Sequence, residues 1–284
     1  LDIEAGTVIA GRYRVLEHLR PEGAGQVYAV ERVDDRRCMA LEVLRGDLRA
    51  LASSGARLRL EVRTIEAIDS DHLIRGLAYD EDPELGPLLA MELLEGESLL
   101  ARLKRAGPLP LAELHPLIEQ TFHGLVDLHR AGVIHADIRP QNLFLEQIPG
   151  LPTRVKILDF ASARLPVERG TGLELAPFEC LGTFSFMPPE QIAKAASFDH
   201  RADIYATATV IFQALTGRLP FSSRDLLAMV EAKCKEDAPR LRDKTSAPMH
   251  PEVEDFVALA LSRDPDERFQ SAAAALAAWR AIGV

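Results

Sequence analysis

The spacing of apolar residues changes part way along the chain. From 11 to 44 the runs GRYRVLEHL, GQVYAVERV and CMALEVL are short and β-branched or alternating, and turn formers such as PEGAG and DDRR separate them. That pattern predicts strands of a half-buried sheet. In SSGARLRLEVRTIEAI, by contrast, Leu58, Val62, Ile65 and Ile68 recur at helical spacing, which predicts one helix. LIRGLAYD and GPLLAMEL, joined across EDPELG, predict two further strands. After roughly the first hundred residues helical periodicity takes over. Leu114, Ile118, Phe122, Leu125 and Leu128 predict a long helix ending near Gly132; Ile204, Ala208, Ile211 and Leu215 predict another, stopped by Gly217 and Pro220. Between these helices, 134–200 is irregular apart from one predicted strand pair, NLFL and VKIL. Irregular stretches of that length inside a compact domain are usually functional. The expected fold is α+β: a small β-rich lobe with one helix, then a larger, mainly helical lobe, with polar residues gathered between them.

Composition excludes several function classes. The chain has 284 residues, 47% of them hydrophobic and 27% charged, and a net charge of -10. Such an acidic balance argues against a surface for nucleic acid or anionic membrane. Cys38, Cys180 and Cys234 lie far apart with no metal-ligand spacing, so they read as free, buried thiols in a reducing compartment. No apolar run reaches the roughly 18 residues of a transmembrane helix, and no signal peptide is evident. The expected location is cytoplasmic, with no membrane contact from this segment. Because the chain begins at Leu1 rather than Met, it reads as a piece of a longer protein.

Candidate chemistry lies in VIHADIRPQNLFL and ILDFASAR, which carry Asp137, Asn142 and Asp159. Three oxygen-bearing side chains at the ends of short strands suit Mg²⁺, which takes carboxylates together with phosphate oxygens. Here the chain resembles the eukaryotic-like serine/threonine protein kinases, particularly their bacterial branch. HADIRPQN resembles the catalytic loop H-R-D-x-K-P-x-N, and DFA the metal-binding D-F-G. GTFSFMPPEQ is similar to the end of the activation segment, with PPE in place of A-P-E. RADIYATATVIFQALTGRLPF resembles the family's central helix, DPDERFQSA its late Asp-Pro-x-x-Arg segment, and MELLEGESL the hinge between lobes. The resemblance implies one bilobal kinase-like domain over 12–284, with an N-lobe through 94 and a C-lobe over 95–284.

The same resemblance implies residue roles. Asp137 orients the acceptor hydroxyl and accepts its proton, Arg139 stands at the phosphoryl-contacting lysine, and Asn142 and Asp159 hold Mg²⁺ on ATP. Thr183 matches the threonine typical of serine/threonine-specific members, so a peptide-binding ledge is expected. Met91 is the gatekeeper, backbone groups of Glu92 and Leu94 read the adenine edge, and Leu19, Val27, Ala40 and Phe144 sandwich the ring. Gly25 is the third glycine of the phosphate loop, and Glu61 is the helix glutamate that normally pairs with a strand lysine. His135, Phe160, Glu190, Asp203 and Arg268 are structural, Glu190 and Arg268 as an ion pair and Asp203 as the support of the catalytic loop.

The pattern also breaks. MALEVL aligns with V-A-I-K, which puts Glu42 where the phosphate-gripping lysine belongs. Two carboxylates about 4 Å apart would cost around 4 kcal/mol at an effective dielectric near 20, so Glu42 facing Glu61 predicts impaired catalysis. A solvated position for Glu42 on a strand edge is the plainer alternative. In RPEGAGQV, Arg20 and Glu22 replace two glycines, and Pro21 removes a backbone donor. Ala136 replaces the catalytic-loop arginine, and Ala161 the last residue of D-F-G. The first reading is therefore a pseudokinase that acts as a signalling scaffold or allosteric module, binding protein partners and holding ATP and Mg²⁺ weakly if at all. A slow, divergent serine/threonine kinase using Mg-ATP is the alternative, and adenylyl transfer a third.

Overall fold

The computed structural model describes residues 3–20, 25–44, 59, 62–160, 162–164, 184–193, 198–223 and 225–283. Two compact units emerge: Leu1–Asp69 with Leu73–Glu95, and Ser70–His72 with Gly96–Val284.

The first unit is a six-stranded sheet in the order β1-β2-β3-β4-β6-β5. Its strands are β1 (Val8–Ile9), β2 (Tyr13–Arg20), β3 (Gly25–Arg32), β4 (Cys38–Leu44), β5 (Gly76–Asp82) and β6 (Gly86–Glu92). All neighbours pair antiparallel. Side chains alternate across a pleated sheet. Tyr28 and Val30 of β3, Met39, Leu41 and Val43 of β4, and Leu88 and Ala90 of β6 therefore share a core with Ile9, Tyr13 and Val15. Burying each large apolar side chain contributes about 1.5–3 kcal/mol, which makes this layer the main stabilising term of the unit. The intervening residues Val27, Ala40, Glu42, Leu89 and Met91 belong to the opposite face, as the pairs Val27 with Glu42, Glu42 with Leu89 and Ala40 with Met91 require. The expected helix is present as a helical stretch over 62–66, with Val62 and Ile65 buried; Leu58 lies outside the described residues.

The second unit pairs a three-stranded sheet, β7 (Gly96–Ser98), β8 (Leu143–Glu146) and β9 (Arg154–Ile157), with helices. These are α1 (Leu99–Ala106), α2 (Leu111–Arg130), α3 (Pro189–Ala193), α4 (Arg201–Thr216), α5 (Leu226–Lys235), α6 (Pro251–Ala260) and α7 (Ala272–Arg280). Ser98 caps α1 by accepting from the Ala101 N–H at 3.1 Å. Gly96 has φ +140°, and a Cβ there would lie 2.1 Å from the Leu145 carbonyl oxygen, so only glycine fits where β7 meets β8. The apolar stripe of α2 is buried as its spacing predicts. On α4 the expected stripe is only part of the burial, because Asp203, Thr207 and Thr209 are fully buried as well. The Thr207 and Thr209 hydroxyls satisfy themselves by donating to carbonyls four residues back. A buried helix around which others pack offers a rigid mount for a charged anchor.

One expectation and one alternative reading need correction. Cys38 is exposed at the start of β4 rather than buried, because strand alternation turns it away from the core that holds Met39. Glu42 is not on an edge, since β4 is hydrogen-bonded to β3 and β6. Among the described residues no helix is long and apolar enough to cross a membrane.

Candidate active site

The loop from α2 to β8 carries three of the candidate residues, Asp137, Arg139 and Asn142. Gly132, at φ +75°, turns the chain out of α2, and Ile134 pairs with Arg164 through reciprocal backbone hydrogen bonds of 3.0 and 2.8 Å. The next two backbone N–H groups, of His135 and Ala136, donate to the two carboxylate oxygens of Asp203 on α4, at 2.9 and 2.8 Å. His129 Nε2 lies 2.8 Å from Asp203 Oδ2. Burial alone would raise the Asp203 pKa, but the hydrogen bond and charge of His129, with the Ala136 N–H, hold it below the usual carboxylate range. Asp203 is thus an ionised anchor inside the helical unit.

That anchor explains a strained residue. Ala136 has φ +63°, a left-handed conformation costing an alanine roughly 1–2 kcal/mol. Its N–H is held by Asp203, and its carbonyl accepts from Gln191 Nε2 of α3 at 2.8 Å. Strain of this kind persists where the surroundings over-determine it. The consequence is to present Asp137.

Asp137 is buried and gripped from several sides. Its N–H donates to His135 Nδ1 at 3.2 Å, while His135 Nε2 lies 3.0 Å from the Leu158 carbonyl. These partners assign the proton to Nε2, and burial keeps the imidazole neutral by lowering its pKa. The His135 ring also packs on Phe160, with centroids 4.9 Å apart. On the carboxylate, Oδ2 lies 3.1 Å from Arg139 Nε and accepts from Asn142 Nδ2 at 3.0 Å. Oδ1 is buried and has no hydrogen-bond partner among the described residues. Burial pushes the Asp137 pKa up to about 7; Arg139 opposes that rise and the charge of Asp159 adds to it. An unengaged oxygen on an acid poised near neutrality is the arrangement of a general base.

The expected Mg²⁺ ligands fit the ion. Both described hydrogen bonds of the Asn142 amide use its nitrogen, to the Asp137 carbonyl and Oδ2, so neither occupies the amide oxygen that a cation would take. Asp159, at φ +63°, contributes a half-buried carboxylate close enough to influence both Asp137 and His135. Among the described residues no group of three or more His, Cys, Asp or Glu is arranged to hold a metal. Mg²⁺ on a nucleotide does not need one, because phosphate and water oxygens complete its octahedron.

Glu190 and Arg268 form the expected pair, with two hydrogen bonds of 2.6 and 2.8 Å. Arg268 also donates to the Ser262 carbonyl at 2.7 Å and lies over the Tyr205 ring at 4.9 Å. In the first unit, Val27, Ala40 and Met91 share a sheet face with Glu42, which is half-buried. Leu19 is 43% exposed at an irregularity of β2. Gly25 opens β3 opposite Leu44, and the Glu92 N–H donates to the Arg75 carbonyl at 3.3 Å. Leu94 is half-buried just after β6. Phe144 belongs to β8 of the second unit, paired with Ser98 and Lys156. Glu61, Ala161, Cys180 and Thr183 lie outside the described residues.

Sequence reasoning missed three participants. His129 reads as an ordinary core or surface histidine, yet it binds Asp203. Gln191 bridges to the catalytic loop. Lys233 is fully buried on α5; a lysine at a position where helical spacing calls for an apolar residue was the available signal.

Comparison with known proteins places the chain in a family. The sequence pattern of the protein kinase domain matches residues 13–279. The serine/threonine-protein kinase pkn3 of Myxococcus xanthus is 32% identical over 284 residues, covering 99% of this chain and 52% of its own length. Pkn2 of the same organism is 36% identical over 215 residues, covering 75% of this chain and 25% of its own. The chain therefore spans about half or less of these relatives. Among solved structures, the PknI kinase domain of Mycobacterium tuberculosis superposes with a TM-score of 0.75 at 22% identity, covering 99% of each chain, a likeness of fold.

Proposed function

This chain belongs to the protein kinase family, and on that premise we propose that it is a slow, divergent serine/threonine kinase domain that uses Mg-ATP. The observation that carries the reading is Asp137: held by Arg139 and Asn142, with Oδ1 unengaged and a pKa near 7. The serine/threonine kinase relatives support it over the scaffold reading.

In this mechanism Asp137 Oδ1 accepts the hydrogen bond of a serine or threonine hydroxyl and so aims its oxygen at the γ-phosphorus. The new oxygen–phosphorus bond forms as the bond to the β-phosphate oxygen breaks, ADP leaves, and the hydroxyl proton passes to Asp137. Arg139 keeps the carboxylate oriented and adds positive charge beside it. Asn142 and Asp159 would hold Mg²⁺, which neutralises charge on the phosphates. Glu42 makes the reaction slow, because a carboxylate replaces the cation that would grip the phosphates.

A pseudokinase that works through protein partners is the second reading, and Glu42 on the face shared with Val27, Ala40 and Met91 favours it. One assay separates the two. With γ-labelled ATP and Mg²⁺, slow transfer to the chain itself or to myelin basic protein is expected. The rate should fall at least ~100-fold in Asp159→Asn, and should drop as pH falls below about 7, where Asp137 takes up its proton and cannot act as a base. Label arriving only from the α-phosphate would mean adenylyl transfer. No label, with no ATP-dependent thermal shift, would establish the scaffold reading.

A further inference from the structure

Lys233 is 1% exposed, and among the described residues no carboxylate pairs with it. Fully buried lysines are rare without a partner, and burial pulls the pKa of this one down to about 7. An apolar side chain would fill the same space on α5 without that cost. The ammonium instead donates to three main-chain carbonyls: Phe184 at 2.9 Å, Ser185 at 2.7 Å and Met187 at 2.8 Å. It has three N–H groups, so its capacity is used in full. Ser185, Phe186 and Met187 are themselves buried, which makes the clamped turn an internal part of the helical unit.

The chain that follows the clamp is stiff. Pro188 and Pro189 come directly after Met187; each ring locks its own φ and restricts the residue before it. Little slack therefore separates the clamped carbonyls from α3, which begins at Pro189 and packs against α5. Gln191 of α3 is 3% exposed, and its Nε2 donates to the Ala136 carbonyl at 2.8 Å. That carbonyl and the Asp137 N–H belong to one planar peptide unit, whose N–H donates to His135 Nδ1 at 3.2 Å. Holding the carbonyl side as well fixes the plane from which the Asp137 side chain leaves the backbone. Glu190, tied to Arg268, is a separate fastening of α3.

We propose that Lys233 is a positioning residue for Asp137: its clamp on residues 184–187 sets the start of α3, and Gln191 carries that placement to the peptide unit that presents the carboxylate. The inference rests on the phosphotransfer reading only for the use made of Asp137; the path from Lys233 to Ala136 exists without turnover. The left-handed backbone of Ala136 makes the path consequential, because a strained residue relaxes when one of its constraints is lost. Removing the clamp therefore loosens the loop around Asp137 and slows the chemical step.

The test compares the whole chain with Lys233→Met, which removes all three donors and keeps the bulk, with Gln191→Met, which removes the link, and with the double variant. Amide hydrogen exchange is followed over 184–187 and at the N–H groups of His135 and Ala136. Lys233→Met should quicken both sets at least ~5-fold while α2 and α4 are unchanged. Gln191→Met should quicken only His135 and Ala136, and the double variant should exchange there no faster than Gln191→Met alone. In phosphate transfer from ATP, either single variant should lower kcat about 10-fold with the KM for ATP within about twofold, and the double variant should lower it no further. Lys233→Gln, which keeps two N–H groups, should fall between, and it replaces Lys233→Met if that variant does not fold. Unchanged exchange at His135 and Ala136 in Lys233→Met would mean that Glu190 and Arg268 hold α3 alone, and overturns the proposal. Additive effects in the double variant, or equal quickening across α2 and α4, overturn it too. Absence of phosphate transfer by the unmodified chain sinks the kinase reading alone, since exchange decides the role of Lys233 by itself.

Discussion

Asp203 and Glu42 are acids set among apolar side chains, one in each compact unit, and their surroundings differ. Asp203 is fully buried on α4 and receives two backbone N–H groups and a histidine. Glu42 is half-buried in the middle of β4, with Val27 and Leu89 as its cross-strand neighbours. In the helical unit the buried acid is a structural requirement, since three donors lose their acceptor without it. In the sheet, position 42 takes part in the strand ladder through its backbone, while the core layer of Met39, Leu41 and Val43 lies on the other face from its side chain. The contrast teaches where this domain tolerates chemical change. The loop that carries Asp137 depends on its anchors for geometry, whereas the second face of the sheet holds a carboxylate while the strand ladder stays intact.

The comparison breaks most readily at Asp203. Asp203→Ala strands the N–H groups of His135 and Ala136 and should cost about 3–5 kcal/mol in urea denaturation, with loss of any phosphotransfer. A loss below about 1 kcal/mol would mean that the catalytic loop holds itself. At Glu42 the expected effect is on ligand and not on fold: Glu42→Lys should tighten Mg-ATP at least ~10-fold, about 1.4 kcal/mol, in a thermal-shift titration with little change in the ligand-free midpoint. Equal affinity in the two proteins would show that position 42 does not face the phosphates. The smallest effect belongs to Ala136→Gly. Glycine adopts φ +63° without strain but gains freedom in the unfolded chain, so a net stabilisation of about 0.5–1 kcal/mol is expected. A destabilised variant would mean that the alanine methyl packs usefully enough to offset its backbone strain.

Much of this molecule was legible beforehand for a physical reason. Alternation in CMALEVL and helical spacing in α2 report which face of each element meets a core, and that information is local. The motif residues of the catalytic loop were legible too, because the resemblance supplies their order and spacing. His129, Gln191 and Lys233 were not. Their partners lie 74, 55 and 48 residues away in sequence, at Asp203, Ala136 and Ser185, and no periodicity encodes such pairings.

The sequence by itself determined the fold class and the order of the main elements, and it nominated Glu42, Asp137, Asn142 and Asp159 as candidates through the family resemblance. Only the tertiary structure decided that β4 is flanked on both sides, that Ala136 is held left-handed, and that Asp137 is buried, which pushes its pKa up. It also turned a buried lysine into a three-carbonyl clamp. Propensity and pattern act between neighbours along the chain, whereas desolvation and hydrogen-bond partnership arise only when distant segments pack and exclude water.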